Sequence, residues 1–224
     1  CRSRGKLPFQ TTRYESMVEK ESMTIFIFTH PVPNDVKSLV SIKEDDVVIG
    51  VDQALSAIYK QRIKVDLAVG DFDSLKNKGL LHGLNTEKLP SEKDVTDSYY
   101  ALKRAHEMPH DEIILIGGAG GERIEHAYAH MNLFHHFPNI KMITEYSELF
   151  KLDKHMQISH KGYINIFPYH EAIVTLKGFK YPLDSHHLNA FDNLGISNEL
   201  TNDTGEIFIE KGSVLVILTN KKSA

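Results

Sequence analysis

Leu67-Ala68-Val69-Gly70-Asp71-Phe72-Asp73-Ser74 is the stretch whose reading decides the architecture of this 224-residue chain. An apolar run with the character of a buried strand ends in a glycine, and two carboxylates follow at alternate positions. Alternate residues of an extended chain point to the same side. If strand geometry persists, Asp71 and Asp73 aim together, roughly 7 Å apart at their Cα atoms. Two like charges at the end of a buried strand are unfavourable unless something positive stands between them. Hard oxygen donors suit Mg²⁺, which takes one or two protein carboxylates and leaves its other positions to water and phosphate. The competing reading is a solvated turn whose acids cap the next element.

Working outward, the chain before residue 146 alternates strand-like and helix-like segments. Residues 25–29, 47–51, 113–116 and 140–144 read as further strands, and residues 53–59, 94–107 and 117–136 as helices. On the second helix, Tyr99, Tyr100, Leu102 and Ala105 offer an apolar face. Apolar runs of this length joined by helices indicate a parallel sheet covered on both faces, an α/β, Rossmann-like arrangement over residues 23–146. After residue 146 helical periodicity fades. Residues 163–167, 172–176, 207–209 and 214–218 are β-rich and are punctuated by Gly162, Gly178, Gly195, Gly205 and Gly212. This predicts a smaller all-β sandwich domain over residues 147–224. Residues 1–22 lack apolar periodicity and read as a leader or an upstream extension before a start at Met23, with an ordered accessory helix as the alternative.

Composition narrows the function classes. The net charge of −4 argues against nucleic-acid binding through a broad basic surface, and no Trp is present to serve as a stacking platform. No apolar run approaches the ~18 residues of a membrane span. The single cysteine, Cys1, excludes an internal disulfide, which suits a reducing cytoplasm.

Ligands of open parallel sheets gather beyond the carboxyl ends of the strands. Asp52 follows the second strand, Asp71 and Asp73 the third, and Lys93-Asp94-Val95-Thr96-Asp97 opens a helix. Asp94 and Asp97 at a helix start are explained equally by capping and by a third carboxylate of a cation site. Lys93 reads either as a phosphate partner or as a surface lysine. Gly118-Ala119-Gly120-Gly121-Glu122-Arg123 is not a dinucleotide fingerprint, since Arg123 stands where the third glycine belongs, and no Lys-Ser/Thr pair makes it a P-loop. What remains is a turn able to offer backbone N–H groups to an anion, with Arg123 adding a bidentate contact, or else a purely structural turn. His126 and His130 have a metal-ligand spacing, but Ala127 stands where a zincin has glutamate.

In this order, these blocks resemble the thiamine pyrophosphokinase family in its bacterial form. Gly50-Val51-Asp52-Gln53-Ala54, the Gly-Asp-Phe-Asp-Ser block at Gly70 and the Lys-Asp-x-Thr-Asp block at Lys93 carry the likeness. The glycine turn through His126, with Gly178-Phe179-Lys180-Tyr181-Pro182-Leu183 and Gly195-Ile196-Ser197-Asn198-Glu199, completes it. The resemblance implies a cytoplasmic homodimer whose active site lies between subunits. It implies transfer of a pyrophosphoryl group from the co-substrate ATP to the thiamine hydroxyl, with Mg²⁺ as cofactor. On that expectation Asp71, Asp73 and Asp97 hold Mg²⁺, and Asp94 is an outer acid or a base orienting the hydroxyl. Asp52, Lys93, Thr96, Arg123 and His126 face substrate, while Ser197 and Asn198 stand on the thiamine side. Three departures are visible: Gln53 and Glu122 in place of glycine, and Glu125 in place of aspartate. The alternatives are a haloacid-dehalogenase-like phosphohydrolase using Asp71 and Asp73, and a module that binds thiamine or nucleotide without turnover.

Overall fold

The computed structural model describes residues 22–221, so the expectation for residues 1–22 lies, save for Ser22, outside the described residues. Six strands build the first half: β1 (Thr24–Thr29), β2 (Val47–Val51), β3 (Leu67–Gly70), β4 (Thr86–Lys88), β5 (Glu112–Gly117) and β6 (Lys141–Ile143). They pair in parallel in the order β6-β5-β1-β2-β3-β4. β1 is central, with Ile25 opposite Val47 on one side and Ile113 on the other. Three helices cover the sheet: α1 (Ala54–Lys60), α2 (Asp97–His106) and α3 (Ile124–His136).

Strand alternation assigns each face its helix. Ile25 and Ile27 pack with Ala101, Leu102 and Ala105 of α2 and with Leu133 and Phe134 of α3. Phe26 and Phe28, one residue out of phase, pack on the opposite face with Ala54, Leu55 and Ile58 of α1. Buried on both faces, β1 therefore reads as a continuous apolar run.

One strand and two helix starts in this half differ from the sequence reading. β4 was not anticipated, because Thr86-Glu87-Lys88 forms a polar strand on the sheet edge and carries no apolar signal. α2 begins at Asp97 instead of residue 94, since Thr96 Oγ1 accepts from Tyr99 N (3.2 Å) as its N-cap. α3 begins only at Ile124, because Gly117, Gly118, Gly120 and Gly121 all have positive φ and cannot belong to a right-handed helix.

The second half contains β7 (Ser147–Leu152), β8 (Met156–Ile158), β9 (Gly162–Lys177), β10 (Leu183–Asn189) and β11 (Gly205–Asn220), paired antiparallel. The runs 163–167 and 172–176 are one strand, β9, and the runs 207–209 and 214–218 are one strand, β11. Gly212 is accordingly a bulge (φ +80°) and not a turn; the register of β11 on β9 shifts beside it. Ile164 and Ile166 near one end of β9 share an apolar cluster with Val174 and Leu176 near the other, so the long strands curl over their own interior. β6 pairs with β7, making both halves one eleven-stranded sheet, and Leu149 and Leu215 join the apolar cluster beneath α2 and α3. The expected sandwich thus takes the form of a curl in a continuous sheet.

Candidate active site

The carboxyl ends of β2 and β3 meet the first turn of α2. Asp52 leaves β2 in a left-handed conformation (φ +46°), pinned by its N–H on Val69 O (2.9 Å). Non-glycine residues enter this region at a cost and collect at functional sites. Gly70, at the end of β3, lies so close that a Cβ there would stand 3.1 Å from that of Asp52. Phe72 is also left-handed (φ +61°) and is buried in the apolar cluster under α1. Burying that ring is worth about 1.5–3 kcal/mol, enough to offset the roughly 1–2 kcal/mol of a left-handed residue.

This twist breaks the alternation expected of Asp71 and Asp73. Asp71 Oδ1 accepts from Asp73 N (3.0 Å), a tight turn. Asp73 is exposed, and its Oδ2 accepts from Ser91 Oγ (3.0 Å). Asp71 turns instead toward Lys93, whose Nζ lies 3.6 Å from Asp71 Oδ2, 3.2 Å from Asp97 Oδ1 and 3.0 Å from Pro90 O. Lys93 therefore sits between acids, where the sequence reading left phosphate or solvent as its partner. Asp52 completes the group. Its Oδ2 accepts from Ser74 Oγ, and burial together with the charges of Asp71 and Asp97 pushes its carboxyl above the usual carboxylate range.

Three carboxylates and one ammonium leave this rim with an excess of negative charge. Among the described residues, buried Asp52 Oδ1 has no hydrogen-bond partner, and buried Asp97 Oδ1 has only the Lys93 ammonium at 3.2 Å. An orphaned carboxylate oxygen beside an ion-paired one in an acidic pocket is the donor chemistry of a hard cation. Among the described residues, no group of three or more His, Cys, Asp or Glu side chains is drawn together as a metal cage. That is compatible with Mg²⁺, which relies on few carboxylates and on phosphate oxygens.

The remaining candidates divide. Asp94 is exposed in the bend before α2, and Thr96 is occupied by its capping bond. Arg123 is exposed and its Nε donates to Glu125 Oε1 (2.7 Å), which lowers the Glu125 pKa. His126 is half-buried one turn from His130, their ring centroids 6.4 Å apart. In the β-rich half, Ser197 is left-handed (φ +57°) and its N–H donates to Asn165 Oδ1 (2.8 Å). Asn198 is 2% exposed; its amide accepts from Tyr181 N and Glu199 N and donates to Tyr181 O, so it holds the segment and offers little to a ligand.

Sequence reasoning missed Ser74 and Ser91, which fix Asp52 and Asp73, and a buried trio of Thr29, Ser98 and His130 behind the glycine turn. The signal for His130 was available: Ala127, His130 and Phe134 recur at helical spacing, which marks a buried face.

Comparison with known proteins bears on this site. The family model described as "Thiamin pyrophosphokinase, catalytic domain" matches residues 40–144, and "Thiamin pyrophosphokinase, vitamin B1 binding domain" matches residues 150–214. Thiamine pyrophosphokinase of Bacillus subtilis is 32% identical over 198 residues, 78% of this chain and 87% of the relative. A crystal structure of the Bacillus subtilis protein superposes with a TM-score of 0.77 at 28% identity, covering 88% of this chain and 99% of that one. Thiamin pyrophosphokinase of Geobacillus thermodenitrificans gives a TM-score of 0.76 at 27% identity, covering 90% and 99%. No helix among the described residues is long and apolar enough to cross a membrane.

Proposed function

The chain belongs to the thiamin pyrophosphokinase family, and from that premise we propose that it transfers the pyrophosphoryl group of ATP to the hydroxyl of thiamine, giving thiamine diphosphate and AMP. The observation that carries this reading is the acidic rim of Asp52, Asp71 and Asp97 around Lys93, with Asp52 Oδ1 orphaned and Asp97 Oδ1 met only by Lys93. Transfer of a phosphoryl-type group depends mainly on aligning two reactants and screening phosphate charge, and needs no covalent nucleophile.

Each side chain then has a task. Asp71 and Asp97, which share Lys93, are the residues that would hold Mg²⁺; Asp73, the third acid expected there, is held apart by Ser91 and would join them only on leaving that bond. When bound, the ion neutralises phosphate oxygens and assists the leaving group. Asp52, kept in place by Ser74 and raised in pKa, shapes the inner wall. Lys93 supplies positive charge that exchanges between Asp71, Asp97 and phosphate. Residues 117–121 hold four glycines with positive φ, which keeps side chains out of the way of a phosphate approaching the backbone. Asp94, Thr96, Arg123 and His126 lie along the outer edge, where Arg123 must leave Glu125 to reach an anion.

Ser197 and Asn198 lie in the β-rich half, where Ser197 faces thiamine and Asn198 keeps its backbone in position. Around them Tyr181, Phe191, Leu194 and Ile196 are exposed, Phe191 at 93%. An apolar surface of that kind favours a homodimer in which one protomer's residues 147–224 meet the other's residues 23–146. We place the enzyme in the cytoplasm, which suits a chain with a single cysteine. Incubation with ATP, Mg²⁺ and thiamine tests the reaction: AMP is expected one-for-one with thiamine diphosphate. ADP as the nucleotide product, or binding without turnover, overturns it.

A further inference from the structure

Behind the glycine turn lies a polar trio that the proposed reaction does not use. Thr29, Ser98 and His130 are 5%, 4% and 3% exposed, at the end of β1, in the first turn of α2 and in the middle of α3. The His130 ring bonds in two directions. Nδ1 is 2.7 Å from Gly118 O, and Nε2 is 2.9 Å from Ser98 Oγ and 3.4 Å from Thr29 Oγ1. Thr29 Oγ1 is in turn 3.0 Å from Ser98 Oγ.

The chemistry of the partners fixes the protons. A carbonyl oxygen only accepts, so Nδ1 donates to Gly118 O. In a neutral ring Nε2 then accepts, and Ser98 Oγ–H donates to it, with Thr29 Oγ–H donating to Ser98. Fit reinforces the bonding. A Cβ on Gly118 would stand 2.8 Å from His130 Nδ1 and 2.8 Å from Thr29 Cγ2, so the turn rests directly on this trio. Ser98 follows Asp97 immediately in sequence. One ring therefore ties the glycine turn to the helix start that carries an acid of the rim.

We propose that His130, as its neutral Nδ1–H tautomer, is a positioning residue that sets the glycine turn 117–121 against the first turn of α2, so that phosphates held on the turn face the cation that Asp97 would hold. The inference rests on the reading of the reaction given above. It assigns the two ends of the ring different kinetic consequences. The Gly118 end orders the turn that binds nucleotide, an interaction shared by ground and transition states that appears in KM. The Ser98 end orders Asp97, a carboxylate that would hold the cation screening the phosphate oxygens; that screening matters most as charge moves between them, so its loss appears in kcat.

Substitutions separate the two ends. His130→Gln keeps a polar atom near the Nε2 position and loses the Gly118 bond; the KM for ATP rises about tenfold, with kcat within about twofold of the natural protein. His130→Asn keeps a donor near the Nδ1 position and loses Ser98; kcat falls about tenfold with KM little changed. Ser98→Ala, which leaves ring and turn in place, reproduces the His130→Asn pattern, and each figure corresponds to the loss of one buried hydrogen bond. Parallel losses in all three variants that simply follow thermal stability overturn the proposal. Nitrogen-15 NMR of the unsubstituted protein reads the tautomer without any turnover: a proton on Nδ1 supports the positioning role and a proton on Nε2 overturns it. If the natural protein makes no thiamine diphosphate, the reading of the reaction fails while the tautomer still decides the role of His130.

Discussion

Replacing Asp97 by Asn removes one negative charge and little volume from the point where the rim meets α2. The structure allows the stability change to be worked out term by term. Asp97 is in the first turn of α2, where a carboxylate gains about 0.3–1 kcal/mol from the helix dipole. Its pair with Lys93, which precedes the helix, lies at 3.2 Å with side chains 15% and 23% exposed, and an ion pair of this kind contributes about 0–1 kcal/mol. Against these, Asp97 raises the Asp52 pKa together with Asp71, so its removal relieves repulsion in the rim. The terms nearly cancel, and Asp97→Asn is expected to change the unfolding free energy by less than about 1 kcal/mol in urea. Turnover is a different matter. Losing one preorganised electrostatic contact to a transferring phosphate costs about 10²–10³-fold in kcat; Asp97 would make that contact through the cation it holds, and a loss of that size is expected in initial rates of AMP release. The Asp52 carboxyl should simultaneously move down toward its ordinary value, readable by carbon-13 NMR. A variant that keeps its rate within about threefold of the natural protein refutes the placement of Asp97 at the site. Destabilisation beyond about 3 kcal/mol refutes the claim that its role is chemical instead of structural.

Three further outcomes follow from the same geometry. Gly118→Ala meets both a positive φ and a buried neighbour at 2.8 Å, and should cost about 2–5 kcal/mol. Gly83→Ala, with a similar φ of +81° and nothing within 4 Å, should cost only the backbone share of about 1–2 kcal/mol; equal losses in urea would dismiss the contact with His130. Burial holds the His130 pKa below its ordinary 6.5, so the unfolded chain takes up a proton before the folded one does. Its contribution to stability is therefore complete above pH 6.5 and declines as pH falls through the lower folded value, by at most about 1.4 kcal/mol per pH unit; His130→Asn should flatten that part of a urea-midpoint profile. Chelation with EDTA should abolish turnover and Mg²⁺ restore it, while Asp71→Asn should stay inactive at any Mg²⁺ concentration and unfold like the natural protein; a chelator-insensitive rate would remove the metal from the reaction.

The sequence by itself determined the parallel half and the acids on its rim. Both are local properties: apolar runs such as Ile25-Phe26-Ile27-Phe28 bury two faces at once, and Asp52, Asp71 and Asp97 lie immediately past strand ends or at a helix start. Tertiary structure decided which of those acids converge. Phe72 takes a left-handed conformation because its ring gains burial under α1, and that single backbone twist sends Asp71 to Lys93 and Asp73 to Ser91. It also made one strand of residues 162–177, since the interior that rewards the curl is supplied by β11, some forty residues later in the chain. Asn198 and His130 read as polar candidates along the chain, yet their neighbours Tyr181, Gly118 and Ser98 come from other segments and only the fold brings them within hydrogen-bond reach. Periodicity encodes which face a residue occupies; the partner across that face depends on long-range packing, which no local pattern contains.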